Sequence, residues 1–213
     1  MGQDERAPMA PPRTRSTIAP SAPADVELGS AAQRARRTRI LDATLALASK
    51  GGYEAVQMRA VAQRADVALG TLYRYFPSKI HLLVSSLARE LERTQDKLSR
   101  TPIPGDTADD RVRYVLSRMT RAMQREPMLT EAMTRAFMFA DPSAAAEVST
   151  VARLMEQTLT RAMHEGQPSE DDRAIARVIG DVWLSSLVAW VTRRASANDV
   201  SNHLELAAHL LLR

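Results

Sequence analysis

Apolar residues recur at three- and four-residue intervals from about residue 31 to the end of the chain, and no stretch shows the two-residue alternation of a strand. This pattern predicts an all-α protein of about nine helices. The first starts at Ala31, turns Ile40, Leu41, Thr44, Leu45, Leu47 and Ala48 inward, and ends at Gly51 and Gly52. A short helix follows, with Val61, Ala62 and Ala65 on one face. Asp66 breaks it, Val67 re-enters the core, and Leu72 and Phe76 mark a second short helix. From Ser78 to about Arg100 a long helix carries Ile80, Leu83, Val84, Leu87 and Leu91 inward, until Pro102, Pro104 and Gly105 stop it.

The later elements are read from their punctuation. Thr107 with Asp110 forms a capping-box pattern, and Pro127 follows the end of that helix. Asp141 and Pro142 open the next long helix, which Gly166 closes. Ser169 with Asp172 starts a helix running to about Arg194, and Ser196 with Asp199 starts the last, ending near Leu212.

Two helices as short as those between residues 57 and 77 cannot fold alone. They must pack on their neighbours and leave a small face exposed, here Leu69, Gly70, Thr71, Tyr73, Arg74 and Tyr75. Charge singles out the same region. Residues 30–98 hold 12 Lys/Arg against 6 Asp/Glu, whereas residues 1–29 hold 3 against 4 and residues 99–213 hold 14 against 15. A basic excess confined to a helix pair is the footprint of a phosphate-binding module. Arg34, Arg36, Arg37 and Arg39 open the first helix, where cations oppose the helix dipole, and DNA phosphate is the natural compensation.

At Arg59, Val61, Ala62, Ala65, Val67, Thr71, Leu72, Tyr73, Tyr75, Phe76 and Lys79 the chain resembles the tetracycline-repressor (TetR) family of bacterial transcription regulators. Two positions depart from the family pattern. Asp66 stands where a turn glycine is usual, and Asp tolerates a left-handed backbone better than most residues. Gln57 stands where a Ser or Thr cap is usual. The resemblance implies a three-helix, helix-turn-helix DNA-binding domain over residues 30–77 and a helical ligand-binding and dimerisation domain over 78–213. Carried over residue by residue, Arg59, Leu69, Gly70 and Thr71 approach base edges of double-stranded DNA, while Tyr73, Tyr75 and Lys79 bind phosphates, with Arg74 on the same face. Residues 1–29 hold five of the 11 prolines and little periodicity, which predicts a disordered tail.

One such module contacts too few bases for useful specificity, so a homodimer is expected. The last two helices offer Ile175, Ile179, Trp190, Leu204 and Leu211 for its interface, although a monomer core would use the same residues. Gly180, in mid-helix, suggests a close helix crossing there. Seven of the 10 methionines fall between residues 119 and 163. Met119, Met123, Met133, Phe137, Met138, Met155 and Trp183 suit a cavity for an apolar small-molecule effector, and suit ordinary core packing equally.

A narrower likeness, to regulators of sterol breakdown within the family, runs through GGYEAVQMRAVAQRADVALGTLYRYFPSKIHLLVSSL, LTEAMTRAFMFAD and VWLSSLVAWVTRRASANDVS. It implies a repressor of cholesterol-catabolism genes, released by a steroid acyl-CoA thioester. The residues alone fit equally a regulator of another lipid or xenobiotic pathway, or a DNA-organising protein without ligand control. Catalysis is not expected. His81, His164, His203 and His209 are scattered, no metal or nucleotide motif is present, and Asp109, Asp110, Asp171 and Asp172 sit at helix starts where capping explains them. No bound cofactor and no metal are expected. The absence of cysteine agrees with a cytoplasmic protein. Pro and Arg occupy the N-terminal region where a secretory signal would be apolar, and Val182 to Val191 is too short to span a bilayer, so no membrane partner is expected.

Overall fold

The computed structural model describes residues 24–213, with side chains from Ala31 onward. Residues 1–23, most of the expected tail, lie outside the described residues. The chain divides into two compact units, 1–34 and 35–213. Among the described residues of the first, 24–34 are helical.

The helices are α1 (Ala24–Ala55), α2 (Met58–Arg64), α3 (Leu69–Tyr75), α4 (Lys79–Ser99), α5 (Ala108–Arg125), α6 (Pro127–Met138), α7 (Ala145–Met163), α8 (Glu170–Val191) and α9 (Ala197–Leu211). One turn of 3-10 helix, Pro142–Ala144, precedes α7. Among the described residues there is no strand. The expected start of α1 at Ala31 is corrected to Ala24, so residues 24–29 of the proposed tail are helical. Arg34 is therefore ten residues into the helix. The dipole acts only within the first turn, so the arginine cluster carries no conflict with it. At its far end α1 does break where expected: Gly51 and Gly52 leave helical geometry, Gly52 with φ +63°.

The capping box expected at Thr107 forms, and the helix starts expected at Ser169 and Ser196 carry one as well. The Thr107 hydroxyl accepts from the Asp110 N–H at 3.1 Å, and Ser169 and Ser196 do the same for Asp172 and Asp199 at 3.0 and 3.2 Å. Each carboxylate accepts in return from the backbone N–H and hydroxyl of its cap, which holds all three below the usual Asp range. A depressed carboxylate pKa contributes stability that is complete above the unfolded value, near 4, and lost as pH falls through the folded value. The melting temperature of an Asp172→Ala, Asp199→Ala variant is therefore expected below the parent's at pH 7, with the gap closing on acidification below about pH 4. A gap independent of pH would assign the loss to helix packing and not to the charged caps.

In the core, α4 packs on α6 and α7, α5 on α7 and α9, and α8 on α6, α7 and α9. The first half of α4 is buried more widely than one stripe: Leu82 and Ser86 join Leu83 and Val84 at 0% exposure. His81 is buried too. Its Nε2–H donates to the Ser143 carbonyl at 3.0 Å, and Nδ1 accepts from the Ser78 hydroxyl at 2.9 Å, which ties the start of α4 to the turn before α7. Arg89 joins α4 to α1, donating to the Thr38 carbonyl at 3.1 Å and pairing with Asp42 at 2.7 Å.

By length and apolar composition α8 could cross a membrane, unlike the shorter stretch singled out in the sequence. Here it opens with Glu170, Asp171 and Asp172 and packs within the helical bundle.

Candidate nucleic-acid interface and effector cavity

α2 and α3 are held by few but fully buried side chains: Val61 and Leu72 at 0% and Phe76 at 2% exposure. Between them Asp66 has φ 52°, the left-handed turn expected at that position, and the Val67 N–H returns to the Ala62 carbonyl at 3.0 Å. Gln57 gives α2 no side-chain cap. The Arg37 guanidinium lies 5.5 Å from the Phe76 ring and fastens α1 to the end of α3.

Of the predicted contact residues, Arg59, Gly70, Tyr73 and Arg74 are exposed, and Leu69, Thr71 and Tyr75 are half-buried. Leu69 and Tyr75 pack against the core, the Tyr75 ring centroid 6.4 Å from that of Phe76. A Cβ built on Gly70 would meet nothing within 4 Å. The small residue therefore leaves open space at the first turn of α3.

Lys79, expected on phosphate, has internal partners in the free chain. Its ammonium donates to the Tyr53 carbonyl at 3.0 Å and lies 3.8 Å from the centroid of that ring, and burial lowers its pKa despite the nearby Glu54. This internal engagement makes Lys79 a tie between α4 and the end of α1. The same place receives α6. Glu131 accepts from the Tyr53 N–H at 3.1 Å, Arg135 pairs with Glu54 at 3.1 Å, and its guanidinium lies 4.6 Å from the Tyr53 ring. Gly52 is needed for its positive φ, and a Cβ there would also press on the Glu131 carboxylate, with Oε2 at 2.9 Å. In the sequence Glu131 and Arg135 are four apart and read as a solvated helix pair, so nothing announced this junction.

The opposite side of α6 faces an apolar cavity of about 280 Å³. Met123, Met133, Phe137, Met155 and Trp183 line it, with Leu87 and Leu91 of α4 and Leu184 and Leu187 of α8. Two expected members are corrected. Met119 is buried in the core away from the lining, and Met138 is 45% exposed on the surface, because each falls on the wrong side of its helix. Trp183 keeps its indole N–H buried without an acceptor. Thr134, Glu156, Arg177 and Asp181 supply the polar part of the lining. Gly180 lines the cavity as well. A Cβ there would meet only Met155 Cγ, at an ordinary 3.6 Å, so within the chain no close crossing demands glycine.

Family models match both halves of this arrangement: "Bacterial regulatory proteins, tetR family" over residues 40–85, and "Tetracyclin repressor-like, C-terminal domain" over 105–211. The chain belongs to the TetR family. It is 66% identical over 197 residues to the HTH-type transcriptional repressor KstR of Rhodococcus jostii, covering 92% of each chain. To KstR of Mycobacterium tuberculosis it is 61% identical over 206 residues, 97% of this chain and 93% of the other. A TetR transcriptional regulator from Rhodococcus sp. RHA1 superposes with TM-score 0.78 at 34% identity, over 85% of this chain and 97% of that one. Thermus thermophilus FadR, a TetR-family repressor in complex with lauroyl-CoA, shares the fold with TM-score 0.63 at 21% identity, over 83% and 93%. The protein is thus a TetR-type transcriptional regulator, and its KstR relatives are named as transcriptional repressors.

TetR-family regulators bind DNA as dimers, and the structure divides the expected interface residues. Ile179 and Leu204 are 0% and 1% exposed inside the single chain, so they belong to its core. Ile175, Trp190 and Leu211 remain half-buried. Beside them Val178, Leu206 and Leu210 present apolar surface at 47%, 55% and 57% exposure. In the sequence the two faces of α8 look equally apolar, which is why inward and outward residues were not separated.

Proposed function

We propose that this repressor controls genes of cholesterol or related steroid breakdown, binds an inverted-repeat operator as a homodimer, and is released by a steroid acyl-CoA thioester. The observation that carries this is identity above 60% to KstR repressors across nearly the whole chain, together with an apolar cavity behind α6. KstR is the actinobacterial repressor that the sequence runs quoted above resemble. The lauroyl-CoA complex of FadR indicates that this fold can house an acyl-CoA.

Residues 30–77 serve as the DNA-binding domain and 78–213 as the effector and dimerisation domain. Arg59, Gly70 and Thr71 face base edges, and Tyr73, Arg74 and the hydroxyl of Tyr75 hold phosphates. Lys79 positions the module by gripping Tyr53. The exposed apolar residues of α8 and α9 meet a second copy. An effector in the cavity presses on Met133, Thr134 and Phe137, and α6 passes the displacement through Glu131 and Arg135 to Tyr53 and Glu54. A change of a few ångströms between the two recognition helices loses register with successive major grooves.

The test measures anisotropy of inverted-repeat fragments from upstream of steroid-degradation genes against shuffled DNA, alongside light scattering of the free protein. Preference for the repeats and a dimeric mass are expected. Equal affinity for shuffled DNA, or a monomer at micromolar concentration, would overturn the operator reading.

A further inference from the structure

Helices α4 and α7 both line the apolar cavity, and two hydrogen bonds among the described residues tie α4 to α7 and to the turn before it. His81, in the first turn of α4, bonds the Ser143 carbonyl at 3.0 Å, and the Gln95 amide donates to the Leu154 carbonyl at 2.9 Å. At 1.5 Å per helical residue the ties stand about 21 Å apart along α4. The cavity opens between them. Leu87 and Leu91 line it from α4, and Val151 and Ala152 from α7.

The two ties are built differently. Gln95 is a long, half-buried side chain whose rotamers can follow a moving partner. His81 is 6% exposed and held at both ring nitrogens, Nε2 on the Ser143 carbonyl and Nδ1 on the Ser78 hydroxyl. A carbonyl only accepts, so Nε2 carries the proton. The acceptor is fixed in its turn, because the Ser143 N–H donates to the Asp141 carboxylate at 2.8 Å and Ala144 beside it is 0% exposed. Moving the start of α4 by about an ångström takes this bond out of range and leaves a buried N–H and a carbonyl without partners. The tie is therefore either made or broken. Phe76 ends α3 and Ser78 caps α4, so it also sits where the helix-turn-helix joins the rest of the chain.

We propose that His81 is a latch: closed on Ser143 it holds α4, and with it α3, in the operator-binding position, and an effector entering between the two ties forces α4 from α7 and opens it. Gln95 marks the end about which α4 turns. This rests on the effector reading above and deepens it by naming a contact that the effector must break, beside the Glu131 and Arg135 junction of α6. Linkage fixes the signs. A contact that favours the closed state supports operator binding and opposes effector binding, so losing it weakens the first and tightens the second.

The experiment compares full-length His81→Leu and His81→Gln variants with the parent. Operator affinity is read by anisotropy of a labelled inverted repeat, and effector affinity by tryptophan quenching with a steroid acyl-CoA in the absence of DNA, since Trp183 lines the cavity. Leucine fills the site without a polar atom, whereas the glutamine amide can donate where Nε2 did. Losing one buried hydrogen bond shifts the closed-to-open ratio about tenfold. His81→Leu is therefore expected to bind the operator at least roughly twofold more weakly and the thioester at least roughly threefold more tightly, with His81→Gln near the parent in both. Weakening of both ligands in His81→Leu would mark a merely structural residue and overturn the latch. An operator or thioester affinity equal to the parent's overturns it as well, and leaves the effector reading standing as long as the parent binds the thioester. Failure of the parent to bind the thioester overturns both.

Discussion

Gly70→Glu is expected to abolish specific DNA binding while leaving the protein as stable as before. In the free protein the new side chain has room, because nothing lies within 4 Å of its Cβ, and the backbone at position 70 is helical. A carboxylate in the first turn of a helix interacts favourably with the dipole, and Glu has a better helix propensity than Gly. In the proposed complex α3 enters the groove by this turn, and the added carboxylate would meet base edges and phosphate charge. Like-charge juxtaposition at an interface costs several kcal/mol, and a dimer carries the substitution twice, so a loss of at least roughly 100-fold in operator affinity is expected. Anisotropy titration and a thermal melt together decide the matter. Retained binding with an unchanged melt would show that α3 does not enter the groove by its N-terminal turn.

Gly180→Leu is expected to produce a repressor that binds its operator but no longer responds to effector. Gly180 lies on the wall of a cavity of only about 280 Å³. Its Cβ position is tolerated at 3.6 Å from Met155, and the remaining carbons of a leucine extend toward the space the ligand needs. Removing a mid-helix glycine also favours α8 by about 1 kcal/mol, so the fold should survive. The expected outcome is loss of at least roughly tenfold in effector affinity, read by tryptophan quenching, with operator affinity within about twofold of the parent. A variant still released at the parent's effector concentration would place the ligand elsewhere.

The helices were legible in the sequence because their signals are local. Thr107, Ser169 and Ser196 each stand three residues before an aspartate, and the structure closes all three capping boxes. Asp66 sits between two apolar stripes and takes the left-handed conformation such a turn requires. The cavity was only partly legible. Five of the expected residues line it, because methionines and aromatics gather wherever irregular apolar space must be filled, whereas Met119 and Met138 carry the same composition and face away. Pairings between distant segments left no mark at all. Tyr53 with Lys79, Glu131 and Arg135 joins three helices far apart in sequence, and Glu156 reads as one more solvated carboxylate until α8 is laid against it. Two of the expected interface residues, Ile179 and Leu204, turn inward for a related reason. Hydrophobicity alone does not say whether Ile179 or Val178 of the same helix looks inward.

The decisive measurement is the anisotropy of a fluorescent inverted-repeat operator bound to the repressor, titrated at fixed salt with a steroid acyl-CoA and, in parallel, with lauroyl-CoA and free coenzyme A. A fall to the free-DNA value with the steroid thioester alone is the expected result. Anisotropy that stays at the bound value throughout the steroid thioester titration would contradict release by that effector.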